Sequence, residues 1–160
     1  MTHDGTFFAK RSADEVFDLL ANPERFAPLL PDFESMSVQD EARFTVQIVI
    51  AVGEINGHAN LAMELRQAVR PSDVEYIGEA TIAGSPLELK LRFRIASFEG
   101  MTEVTWQGEF SLDGMLALMV GGLVDSMGRK NFERMAERVQ NALRDEELTG
   151  ETFPNPAPEI

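Results

Sequence analysis

Through the middle of the chain, apolar and polar positions alternate with a period of two, the signature of strands with one dry and one wet face. The clearest run is Pro86 to Ser97, where Leu87, Leu89, Leu91, Phe93 and Ile95 alternate with Glu88, Lys90, Arg92 and Arg94. Neighbouring runs repeat it: Phe44, Val46, Ile48 and Ile50 share a side, as do Gly57, Ala59, Leu61 and Met63. Val74, Tyr76, Gly78, Ala80 and Ile82 form a third set, and Val104, Trp106, Gly108, Phe110 and Leu112 a fourth. Turn residues separate the runs at Gly53-Glu54, Pro71-Ser72-Asp73, Gly84-Ser85-Pro86 and Glu99-Gly100, which predicts consecutive antiparallel hairpins.

The period changes at both ends. His3 to Lys10 reads as a short edge strand, and Ser12-Ala13-Asp14-Glu15 is a capping box that opens a helix with Val16, Phe17, Leu19 and Leu20 on one face. Asn22-Pro23 ends it, and Glu24 to Leu30 predicts a second short helix before Pro31. Asp113 is the expected N-cap of a last helix running without proline from Gly114 to about Leu148, with an apolar stripe of Leu116, Val120, Leu123, Met127, Met135, Val139 and Leu143. At ~1.5 Å per residue such a helix is long enough to cross the sheet. The predicted class is therefore α+β: a curved antiparallel sheet of about six to seven strands around a long C-terminal helix, with two short helices after the first strand. One domain over residues 3–148 is expected, followed by a disordered tail, 149–160, that carries Pro154, Pro156 and Pro158.

Composition narrows the function. The net charge is −13, from 27 acidic against 14 basic residues, so nucleic acid is excluded as an expected partner. The chain has no cysteine, which removes disulfides, thiolate metal sites and cysteine nucleophiles and fits a reduced cytoplasm. No secretory signal is visible at the N-terminus, and the longest apolar stretch, Met115 to Val124, is about half of the ~20 residues a membrane span needs.

Catalytic motifs are missing from the sequence. The chain has two histidines, of which His3 lies near the terminus and His58 falls in the wet register with Asn56, Asn60 and Glu64. No catalytic residue, metal site or cofactor is expected. Two other features point to a cavity. Gly121, Gly122 and Gly128 interrupt the long helix at a cost of about 1 kcal/mol each, and Gly57, Ala59, Gly78, Ala80 and Gly108 lie among the dry-face positions. Such small residues serve either close packing and sheet bending or an open space between sheet and helix. Read as a cavity, its candidate ligand-binding positions are Ile48, Tyr76, Leu91, Phe93, Trp106, Phe110, Leu116, Val120, Leu123 and Met127. Tyr76 and Trp106 are the polar-tipped groups expected inside, available to a ligand's polar head.

The order of elements, together with Ser12 to Leu20, Asn22-Pro23-Glu24, Leu30-Pro31, the Val52-Gly53-Glu54-Ile55 turn, the Trp106-to-Gly114 strand and the glycine-bearing start of the long helix, resembles the carbon monoxide dehydrogenase G-subunit family of the START-like (SRPBCC) helix-grip superfamily. The resemblance spans about Phe7 to Leu143 and departs from the family's Leu-Pro-Gly at Leu30-Pro31-Asp32. It implies a pocket for a hydrophobic ligand such as a lipid or isoprenoid quinone. It also implies a non-catalytic accessory role beside a molybdenum hydroxylase of the carbon monoxide dehydrogenase type, with at most transient contact at the inner membrane face, because no C-terminal anchor follows. Two alternatives stay open: an enzyme of the polyketide cyclase/aromatase kind, which needs polar groups pointing inward, and a ligand-free docking protein, for which a cavity well below ~300 Å³ is expected.

Overall fold

The computed structural model describes residues 2–52 and 55–152. Seven strands form one sheet: β1 (Thr2–Ala9), β2 (Phe33–Val38), β3 (Arg43–Val52), β4 (Ile55–Val69), β5 (Asp73–Ile82), β6 (Ser85–Phe98) and β7 (Met101–Leu112). Their order is β1-β7-β6-β5-β4-β3-β2 and every pairing is antiparallel. Strands β2 to β7 are therefore successive hairpins, and the N-terminal strand closes the far edge on β7. The predicted Gly53-Glu54 turn lies outside the described residues, as does the tail from residue 153 onward.

The alternation expected from the sequence sets the faces. Phe44 and Val46 of β3, Leu61 and Met63 of β4, Leu91, Phe93 and Ile95 of β6, and Val104 and Trp106 of β7 are all buried. Register shifts between Phe33 and Ser35 and between Leu65 and Gln67 interrupt the ladders, as bulges do where a sheet bends.

Helix α1 (Ala13–Leu20) begins with the capping box expected from its sequence: Glu15 N–H donates to Ser12 Oγ at 3.1 Å, and Ser12 N–H donates to Glu15 Oε1 at 3.0 Å. Glu24 N–H donates to Asn22 Oδ1 at 3.0 Å at the start of α2 (Pro23–Phe26), which runs into a 3₁₀ turn, Ala27–Leu29. These segments cover one end of the sheet. Phe26 stacks on Tyr76 with centroids 4.7 Å apart, and Phe93 meets Phe26 edge-on.

The single long helix expected after Asp113 is two helices. Helix α3 (Gly114–Val120) stops at Gly121, whose φ of 49° and ψ of −122° no helix can contain, and α4 (Leu123–Thr152) restarts beyond Gly122. A backbone of that kind favours glycine because a Cβ would crowd the adjoining peptide. The predicted stripe was phased as if the helix were continuous, and the break rotates it: Leu123 is 52% exposed while Val124 is buried. Helix α4 also runs to Thr152, past the predicted end at Leu148, so residues 149–152 are helical rather than part of the tail.

Candidate functional site

Helix α4 lies along the β1 and β7 side of the sheet's inner face, burying Phe132, Met135, Ala136, Val139 and Leu143. Glycines let it come close. A Cβ at Gly108 would meet the ring of Phe132, and one at Gly128 would meet the ring of Phe110, so each glycine receives the aromatic of the opposite element. Gly121 and Gly122 play no such part, since nothing lies within 4 Å of a Cβ built on either. The glycine cost in the helix is thus offset by packing at Gly128 and reflects the end of α3 at Gly121.

Because α4 sits toward β1 and β7, space remains between it and β3 and β4. The space is a cavity of about 420 Å³. Its sheet wall includes Ile48, Leu61, Leu89, Leu91 and Phe110. Ile82, Leu87, Leu112, Leu116 and Val124 line the end nearest α3. Helix α3 is fixed there through its backbone: Leu116 N–H donates to Oγ of the buried Ser85 at 3.0 Å, and Asp113 N–H donates to the Pro86 carbonyl at 3.0 Å. On the opposite flank, where the segment before β2 approaches α4, the lining turns polar at Asp32, Lys130, Asn131 and Arg134. Arg134 bridges this flank, with Nη2 3.3 Å from Asp32 Oδ1 and Nη1 donating to Asn131 Oδ1 at 3.0 Å.

Of the ten positions predicted from sequence, Ile48, Leu91, Phe110, Leu116 and Met127 line this cavity. Tyr76, Phe93 and Trp106 do not. Tyr76 is fully buried and donates its hydroxyl to the Leu20 carbonyl at 2.6 Å, so its polar tip completes the end of α1 rather than facing a ligand. Burial also pushes the Tyr76 hydroxyl pKa far above its ordinary value. Phe93 belongs to the cluster with Phe26. Trp106 lies over Gly5 of β1, where a Cβ would collide with its ring, and beside Phe132. Leu123 points outward, and the Val120 side chain is outside the described set. The sequence reading missed the polar flank, although Asn131 falls among the apolar positions of α4 once the count restarts after Gly122.

Neither histidine lines the cavity. His58 is exposed, with Nδ1 3.5 Å from Glu34. His3 is more enclosed than its place near the terminus suggested: its ring lies 6.0 Å from that of Phe132, and Nε2 is 3.1 Å from Asp125 Oδ1 without hydrogen-bond alignment. Among the described residues, no group of histidine and carboxylate side chains is placed to hold a metal ion, and no helix is long and apolar enough to cross a membrane. What the lining offers is burial of an apolar molecule, with hydrogen-bonding groups confined to one flank.

A curved antiparallel sheet gripping a long helix around an apolar cavity defines the START-like helix-grip class. A START superfamily protein from Mycobacterium smegmatis shares the fold with a TM-score of 0.66 at 8% identity, over 90% of this chain and 97% of that one. A conserved protein from Geobacillus kaustophilus aligns with a TM-score of 0.78 at 12% identity, over 91% and 96%. The Zhui aromatase/cyclase from a Streptomyces species aligns at 0.63 and 18%, over 100% and 99%. No curated protein matches the sequence. Residues 5–144 match the family model of the carbon monoxide dehydrogenase G-subunit (CoxG), and the chain belongs to that family.

Proposed function

We propose that the protein carries a hydrophobic molecule, a lipid or an isoprenoid quinone, in the cavity between sheet and α4, and serves as a non-catalytic accessory of a molybdenum hydroxylase of the carbon monoxide dehydrogenase type. The observation that carries the reading is the cavity itself: about 420 Å³ with aliphatic and aromatic walls. That volume falls within the usual range for small-molecule sites, ~300–1,000 Å³, and argues against the docking-protein alternative with a filled interior. Burying ten CH₂ groups at ~0.8 kcal/mol each contributes ~8 kcal/mol before association costs, so no charged anchor is needed for useful binding. Family membership supports the partner. The cyclase alternative needs polar groups along the cavity, whereas those present gather on one flank. The unit proposed for the role is residues 3–148, acting in the cytoplasm with transient contact at the inner membrane face.

The test is mass spectrometry of an organic extract from protein purified without detergent, beside a Leu87→Trp variant that places an indole ring in the lining. A lipid or quinone recovered from the parent and reduced in a folded variant is the expected result. A clean extract, together with no uptake of added lipids or quinones, overturns the carrier reading. The partner is tested separately, by co-purification with a molybdenum hydroxylase from the same cells.

A further inference from the structure

The cavity is chemically lopsided, and the side chains on its polar flank are mostly donors. Lys130, Asn131 and Arg134 sit within two turns of α4, and Asp32 faces them from the segment before β2. Arg134 and Asp32 neutralise each other at 3.3 Å, and the Asn131 carbonyl oxygen is occupied by Arg134, which leaves the Asn131 amide nitrogen to donate. Lys130 has no ion pair among the described residues; even Glu133, three positions along the same helix, forms none with it. The flank therefore holds one uncompensated positive charge and a free amide donor beside an apolar space, in a chain whose net charge is −13.

We propose that this flank is a head-group subsite for an oxyanion, a carboxylate or a phosphate, at the end of an apolar chain that runs toward Leu87, Leu112 and Leu116 near α3. The proposal rests on the carrier reading and narrows it to amphipathic ligands bound in one orientation. The Lys130 ammonium meets the anion and the Asn131 amide donates a second hydrogen bond. The Arg134–Asp32 pair holds the edge of the flank without consuming the Lys130 charge. A neutral alcohol of equal length finds the same apolar walls but gains less from the ammonium, so selection at this end is by charge.

The experiment is displacement of a fluorescent apolar probe from delipidated protein by four ligands: palmitate, hexadecyl phosphate, hexadecanol and decyl-benzoquinone. It is run on the parent, Lys130→Met, which keeps an unbranched apolar stem, Lys130→Arg, and Lys90→Met on the wet face of β6 as a charge control. Expected is tighter binding of one or both anions than of hexadecanol, reduced about tenfold in Lys130→Met, kept in Lys130→Arg and Lys90→Met, and weakened at 1 M salt. Whether palmitate or hexadecyl phosphate loses more identifies a free fatty acid or a phosphate-headed lipid as the source. Equal binding of anions, alcohol and quinone, unchanged in Lys130→Met, overturns the subsite and leaves the carrier reading standing. Failure of probe and all four ligands to bind the parent overturns both.

Discussion

Replacing Tyr76 with phenylalanine separates a structural role from a ligand-binding one. The ring stacks on Phe26 at 4.7 Å and meets Phe44 edge-on at 5.9 Å, and phenylalanine preserves both contacts. What goes is one hydrogen bond of 2.6 Å to the Leu20 carbonyl, in a place where tyrosine and leucine are both fully buried. Leu20 closes α1, so its carbonyl is among those a helix terminus leaves without an intrahelical partner. A hydrogen bond contributes about 0.5–1.5 kcal/mol net, and stranding a buried acceptor raises the loss to about 1–3 kcal/mol. For a domain of this size that loss lowers the melting temperature by roughly 2–12 °C. Urea unfolding of Tyr76→Phe should show a lower midpoint with an unchanged slope, since the surface exposed on unfolding is the same. Affinity for an apolar probe should stay at the parent value, because the hydroxyl does not line the cavity. Unchanged stability with weakened binding refutes the reasoning and restores Tyr76 as a ligand contact.

Other substitutions test other parts of the fold. Gly128→Ala pushes a methyl into the ring of Phe110 and should cost about 1–3 kcal/mol in chemical denaturation, as overpacking does. Gly121→Ala imposes a Cβ at a φ of 49°, and a loss of about 1–2 kcal/mol is expected by the same measurement. Ser12→Ala removes the hydroxyl half of the capping box, the acceptor of the Glu15 N–H, and should cost about 1 kcal/mol near neutral pH. Bonding between Ser12 and Glu15 holds the Glu15 carboxyl below its ordinary pKa of 4.5, with the Ser12 backbone as the largest cause. A lowered folded pKa contributes stability above the unfolded value and loses it as pH falls through the folded one. Ser12→Ala keeps that backbone N–H, so the pH-dependent part is read with Glu15→Ala: its gap from the parent should narrow below about pH 4.5, and a gap that widens with acid contradicts the capping account.

Strand faces were legible because a period of two leaves one parity for burial once any member is known to be inside. Leu91, Phe93 and Ile95 follow it, as do Phe44 and Val46. Strand β2 carries no such pattern; its exposed Glu34, Ser35 and Ser37 surround a partly buried Met36, and its ladder to β3 is itself interrupted. The helix break was hidden for a different reason. Gly121 and Gly122 announce a cost without saying whether a neighbour or a turn offsets it, and counting on through them put Leu123 inside and left Val124 unassigned. Five of the ten predicted ligand positions line the cavity, and Tyr76, Phe93 and Trp106 lie on the expected inner face but away from it. Tyr76 and Phe93 face inward yet meet α2, and Trp106 meets β1 and Phe132, because sequence periodicity fixes a face but not what covers it. Lys130 and Arg134 resemble any solvated helix flank, and the approach of Asp32, about a hundred residues away in sequence, could not be read from spacing.

The paired exchange of Phe132 over Gly108 and Phe110 over Gly128 acts as an indexing pin between helix and sheet. Sliding α4 along its axis would carry Gly128 off the ring of Phe110 and Phe132 off Gly108 together, so the two contacts define a single seat for the helix and, with it, the width of the room beside it.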